Sequence, residues 1–181
     1  MICRSISNNK AVSGHSKWSQ IKHKKAISDQ KRSAVFGKLA RAVTLAARGN
    51  LDPKTNIHLK AAIEQARTAN MPMDNIERAI QRTMDKNQAA LDEIRIEALG
   101  PGGIAMVISA ITDNRNRTLA ELKKLLSNHN AKVVAEGSLD WMLRAEPVEI
   151  QENNLDLLVG LLGVLNEHDD VQSVKTNTRE L

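Results

Sequence analysis

The stretch Ile94-Arg95-Ile96-Glu97-Ala98-Leu99-Gly100-Pro101-Gly102-Gly103-Ile104-Ala105-Met106-Val107-Ile108-Ser109-Ala110-Ile111 decides the fold class. Residues 94–97 alternate apolar and charged, the period-2 pattern of a strand with one buried face. Pro101-Gly102-Gly103 interrupts the run with a turn, and 104–111 is a second, mostly apolar strand. A phosphate-cradling glycine loop would open a helix. This turn leads into a strand, so it reads as a hairpin.

Downstream, Asp113-Asn114 can cap a helix carrying Leu119, Leu122, Leu125 and Leu126. Strands are expected over 139–143 and 148–150, separated at Pro147, then a helix over 153–167 and a last strand over 171–176. That order predicts an α+β sandwich of ferredoxin-like type. In helix 153–167, Leu155, Leu158, Val159, Leu162 and Leu165 make one face, and Leu157, Leu161 and Val164 make a second. A helix apolar on most of its circumference is buried on more than one side. Contact with the helical domain upstream and a protein interface both satisfy that pattern.

Upstream of the hairpin the period is helical. Over 29–48, Val35, Phe36, Leu39, Ala40, Val43, Ala46 and Ala47 share one broad face, with Lys31, Lys38, Arg41 and Arg48 opposite. Arg32 breaks the segregation by pointing toward the apolar arc. Lys17, Lys24, Lys31 and Lys38 recur every seven residues, and a continuous helix would set them in a gently drifting column. Gly49-Asn50 supplies a stop. Asp52-Pro53 is expected to open a second helix running to about Ala69, with Ile57, Ile63 and Ala66 inward and Leu59 beside them. Pro72 breaks the chain and starts a third helix, with Asp74 near its positive end and Arg78 and Arg82 near its negative end. The expected organisation is a disordered tail at 1–13, a basic three-helix domain at 14–86 and a ferredoxin-like α+β domain at 90–181, the boundary falling near 85–92.

Charge divides along the same line. Residues 1–88 hold 17 Lys and Arg against 6 acids, a balance of +11, and residues 89–181 hold 9 against 15, a balance of −6. Such asymmetry points to a polyanion partner at the basic end. No apolar run approaches the roughly 18 residues of a membrane helix. The tail lacks an apolar signal core and is too poor in Arg for a presequence, so a cytoplasmic location is expected. The single cysteine, Cys3, excludes an intrachain disulfide and a cysteine-rich metal cluster.

Catalytic signatures are missing. There is no Gly-rich phosphate loop, no paired acidic motif and no Gly-x-Ser-x-Gly. His15 and His23 are spaced unlike any standard zinc pattern. No enzyme activity, metal or cofactor is expected. The informative stretch is Gly14-His15-Ser16-Lys17-Trp18-Ser19-Gln20-Ile21-Lys22-His23-Lys24-Lys25, free of acids until Asp29. Its lysines can neutralise phosphates by releasing counterions, which gives affinity without sequence reading. Trp18 either stacks on an unpaired base or anchors the segment to the helical bundle. The candidate nucleic-acid-binding residues are therefore Lys17, Trp18, Lys22, His23, Lys24, Lys25, Lys31, Arg32, Lys38, Arg41 and Arg48.

The run 14–25, Asp29-Gln30-Lys31-Arg32, Asn70-Met71-Pro72-Met73-Asp74-Asn75-Ile76-Glu77-Arg78-Ala79-Ile80, Gly100-Pro101-Gly102-Gly103, Thr112-Asp113-Asn114-Arg115-Asn116-Arg117-Thr118 and Asp169-Asp170-Val171-Gln172-Ser173-Val174 resemble the signatures of the YebC/PmpR family. The resemblance covers nearly all of 14–181. It implies a regulator of gene expression: bacterial members are described as transcriptional regulators, with a translational role at the ribosome also favoured. Mitochondrial relatives activate translation of cytochrome c oxidase subunit I. It also implies three domains. Here the chain passes from Trp141-Met142-Leu143 to the final helix through a short connection at Pro147, so the inserted third domain is expected to be missing.

The partner is thus expected to be nucleic acid, either DNA in transcription regulation or ribosomal RNA in translation regulation. Lysine-rich chemistry suits phosphate better than bidentate base reading and favours RNA or the ribosome. The alternative is a protein-interaction module acting through the acidic C-terminal half. Self-association through Leu157, Leu161 and Val164 would fit either reading.

Overall fold

The computed structural model describes residues 14–85 and 90–178, with side chains from Asp29 onward. The expected tail at 1–13 lies outside the described residues. Helix α1 (Gly14–Ala46) runs unbroken through positions 17, 24, 31 and 38. It ends where Gly49 takes φ +78, a left-handed conformation that glycine adopts without steric cost.

Helix α2 (Ile57–Thr68) starts later than Asp52-Pro53 suggests. Asp52 instead folds a turn, its carbonyl accepting from Thr55 N at 3.1 Å and Asn56 N at 2.9 Å. Asn56 is the true cap: its side-chain oxygen accepts from Leu59 N at 3.0 Å. Its amide nitrogen also donates to Ala46 O and Asn50 O, each at 2.7 Å, stitching the end of α1 to the start of α2. Because the helix begins at Ile57, that side chain projects into solvent, 81% exposed, while Leu59 is fully buried. Asn70, at φ +59, closes α2, with Met71 N donating to Ala66 O at 3.0 Å. Pro72 then precedes α3 (Met73–Gln81).

These helices share a core of Val43, Ala47, Leu59, Ile63, Ala66, Met71, Ile76 and Ala79, with Phe36, Leu39, Ala40 and Ala46 packed on it. Val35, placed on the apolar arc by periodicity, is 46% exposed. Arg32 is exposed as well rather than turned inward.

The decisive hairpin forms as read. Strands β1 (Asp92–Leu99) and β2 (Ala105–Thr112) pair antiparallel from Asp92↔Thr112 to Leu99↔Ala105. Gly102 and Gly103, at φ +72 and +76, make the turn. Helix α4 (Arg115–Asn128) is capped by Asn114, which accepts from Arg117 N at 3.1 Å. Strand β3 (Lys132–Val134) returns antiparallel to β1, and β4 (Val171–Thr176) pairs antiparallel with β2. The sheet order is β3-β1-β2-β4. β2, α4 and β3 make a split crossover around β1. Ile94, Ile96, Ala98, Met106, Ile108 and Ala110 pack under α4 and helix α6 (Glu152–Glu167) with Leu122, Leu126, Leu158, Leu161 and Leu165. The result is the expected α+β class.

Two strands fall elsewhere than expected. Where a strand is expected over 139–143, the chain forms a short helix, α5 (Asp140–Arg144), because Leu139 at its N-cap and Met142 and Leu143 recur at helical spacing and all face inward to some degree. The strand beside β1 is the short Lys132–Val134 instead. At 148–150 only a single parallel bridge forms, Val148 to Thr178.

The second face of α6 also divides. Leu161 is fully buried in the sheet's own core and is not available as an interface residue. Leu157 and Val164 are exposed, as is Val159 of the first face.

Candidate nucleic-acid interface

α1 carries the basic residues, and the structure separates them by what they touch. Lys31, Arg32 and Arg48 are exposed. Lys38 and Arg41 are half-buried and committed to protein contacts. Lys38 Nζ donates to Asn166 O at 2.5 Å, at the end of α6. Burial is the main influence on this ammonium and draws it below the usual lysine range, helped by the Arg41 charge and opposed by Asp169. Arg41 Nη1 donates to Asp169 O and lies 3.4 Å from Asp170 Oδ1. These two residues therefore serve as ties to the α6–β4 junction, a correction to their reading as free phosphate ligands. The side chains of Lys17, Trp18, Lys22, His23, Lys24 and Lys25 lie outside those described.

The receiving end of the tie was not legible in advance. Asp170 is buried, yet its Oδ2 accepts from Thr118 Oγ1 at 2.6 Å and from Arg117 Nη2 at 3.3 Å. Thr118 Oγ1 also lies 2.8 Å from Thr112 Oγ1, and Arg117 reaches Asp113 at 2.9 Å. Burial pushes the Asp170 carboxyl up, but the Thr118 hydrogen bond and the Arg41 and Arg117 guanidiniums outweigh it and hold it below the usual range. A buried carboxylate is stable only when paired and hydrogen-bonded in this way. The available signal was the pair of polar runs 112–118 and 169–170, whose residues have no hydrophobic reason to be there.

A second buried carboxylate, Glu97, sits on the sheet face away from α4 and α6. It accepts from Gly137 N and Leu139 N, each at 2.9 Å, and from Arg95 at 2.8 Å. Arg95 also reaches Asp140 at 2.7 Å. The network fixes the segment entering α5. No group of His, Cys, Asp or Glu among the described residues is arranged to hold a metal ion. No described helix is long and apolar enough to cross a membrane.

A basic helix tied through Arg41 and Asp170 to an antiparallel α+β sandwich has both solved and sequence relatives. Residues 16–86 match the model of the TACO1/YebC protein N-terminal domain, and residues 91–145 match that of the TACO1/YebC second and third domain. A "Probable transcriptional regulatory protein" of Chloroherpeton thalassium is 42% identical, with 94% of this chain and 72% of that protein covered. One of Desulfitobacterium hafniense, with the same description, is 41% identical over 90% of this chain and 68% of its own length. The crystal structure of a conserved hypothetical protein from Aquifex aeolicus superposes with a TM-score of 0.73 at 26% identity, covering 83% of this chain and 91% of that one. The chain belongs to the TACO1/YebC family.

Proposed function

We propose that this protein is a non-enzymatic regulator of gene expression that grips the phosphate backbone of nucleic acid through its basic helical part. The observation that carries the reading is the charge division, +11 over residues 1–88 against −6 beyond, combined with the exposure of Lys31, Arg32 and Arg48. That the relatives are probable transcriptional regulatory proteins supports the same general role. Lysine is a compact point charge suited to phosphate and poor at bidentate base recognition. That chemistry favours RNA, including ribosomal RNA, over a base-reading DNA contact.

Sedimentation of the purified protein with ribosomes and, separately, with bulk duplex DNA at matched salt tests the choice. Ribosome binding that outlasts DNA binding as salt rises supports the RNA reading. The reverse order favours DNA, and binding to neither removes the proposal.

A further inference from the structure

A cleft of about 430 Å3 opens beside the end of α1, lined by Arg41, Arg48, Arg82, Thr83, Asp85 and Asp113 among others. Its charge does not cancel. Asp113 is taken by Arg117 at 2.9 Å, and Asp85 is engaged in an interaction of its own. Arg41 is turned partly toward Asp170. Arg48 and Arg82 are exposed, and neither guanidinium has a hydrogen bond or ion pair among the described residues. Arg82 caps the C-terminal end of α3 and Arg48 follows the end of α1 by two residues, both on the side where a cation offsets the dipole. The dipole accounts for a cation at each end and leaves unexplained why the two share one concavity.

From this geometry we infer that the cleft is a phosphodiester-binding site taking one nucleotide of a flexible RNA single strand, with Arg48 and Arg82 as its ligands. The inference rests on the nucleic-acid reading above and gives it a specific seat. Guanidinium groups bind phosphate oxygens bidentately, which two arginines without partners among the described residues, lining one cleft, are equipped to do. The volume is at the small end of ligand pockets, about the scale of a nucleotide. A rigid duplex can present only an edge phosphate there, whereas a single strand can fold a phosphate and sugar inside. Arg82 belongs to no lysine cluster of the sequence. It joins the site only because α3 carries it to the end of α1.

The test compares two variants that remove equal charge. Arg48→Ala with Arg82→Ala removes both proposed phosphate ligands from the cleft. Lys60→Ala with Arg67→Ala removes two exposed cations from α2, outside the cleft. All four positions are exposed, so circular dichroism and melting temperature should match wild type. Affinity is read by fluorescence anisotropy with a single-stranded RNA oligonucleotide and with a duplex of equal length. The cleft variant should bind the single strand roughly tenfold more weakly, with a salt slope smaller by about 1.4, as loss of two phosphate contacts requires. The α2 variant should lose about twofold or less, and the duplex should register the cleft variant only weakly.

Equal losses for the two variants would overturn the cleft while leaving backbone binding intact. An equal loss on the duplex would overturn the single-strand assignment. A wild-type protein that binds neither probe would remove the proposed function, and the cleft with it.

Discussion

The guanidinium of Arg41 lies 3.4 Å from the carboxylate of Asp170, joining α1 to the residue that precedes β4. Asp170 is in turn held by Thr118 and Arg117 from the start of α4. One buried carboxylate thus gathers three elements that are far apart in sequence.

Asp170→Asn removes the charge that both arginines face. With hydrogen bonds to a charged group at stake, the cost is about 2 kcal/mol, or roughly 4–8 °C in melting temperature for a chain of this size. The pH dependence follows from the direction of the shift. Because the native carboxyl is held below its ordinary value, its contribution is complete above the unfolded value of about 4 and is lost as pH falls through the lowered native value. Thermal melts from pH 7 to pH 2 should show an acid decline in the wild type that is shallower in the variant. Identical declines would place the acid sensitivity elsewhere.

Glu97 offers a local counterpart. Burial raises its carboxyl, but the Leu139 and Gly137 amides and the Arg95 charge pull it below the usual range. In Glu97→Gln the side-chain amide presents a donor where a backbone N–H needs an acceptor, at a cost of about 1–3 kcal/mol. Hydrogen exchange should quicken at the Gly137 and Leu139 amides and change far less in the centre of β2. Uniform acceleration across the sheet would mean that Glu97 supports the whole fold rather than this segment.

Helix α6 separates core from surface within one turn. Leu161→Ala should cost about 2–5 kcal/mol, because it empties a fully buried site among Leu158, Leu165 and the sheet. Leu157→Ala, half exposed on the same helix, should cost no more than about 0.5 kcal/mol. Chemical denaturation checks both. Any self-association through this helix must then run through Leu157, Val159 and Val164, and light scattering on Leu157→Glu with Val164→Glu reads it without disturbing the core.

The proposed division of the chain near 85–92 carries the expectation that residues 90–181 fold alone. Every member of the sheet's buried cluster, from Ile94 to Val171, comes from that segment. The isolated fragment should unfold cooperatively on heating, though less stably, since it loses the Arg41 tie. A fragment without a cooperative transition would show that the two parts fold as one.

The hairpin and the leucine-bearing helices were legible because period-2 and helical patterns report which face is buried. Residues 139–143 misled because a short, mostly apolar run interrupted only by Asp140 fits a strand or a buried helical turn equally well. Ile57 misled because its exposure depends on where the helix starts, which Asn56 decides through bonds to Ala46 and Asn50. The basic character of α1 could be read directly. Its partition could not: Lys38 and Arg41 find their partners 128 residues away, a separation no local pattern encodes. That Arg48 and Arg82 line one cleft was hidden for the same reason.

Backbone binding by the helical part is the central claim, and the slope of log affinity against log salt tests it most directly. The measurement uses a ribosomal RNA fragment with the wild type and with a Lys22→Ala, Lys24→Ala, Lys25→Ala variant. The wild type should lose affinity steeply as salt rises, and the triple variant should bind every sequence more weakly with a slope reduced by about 2. Affinity independent of salt, or a triple variant with the wild-type slope, would contradict it.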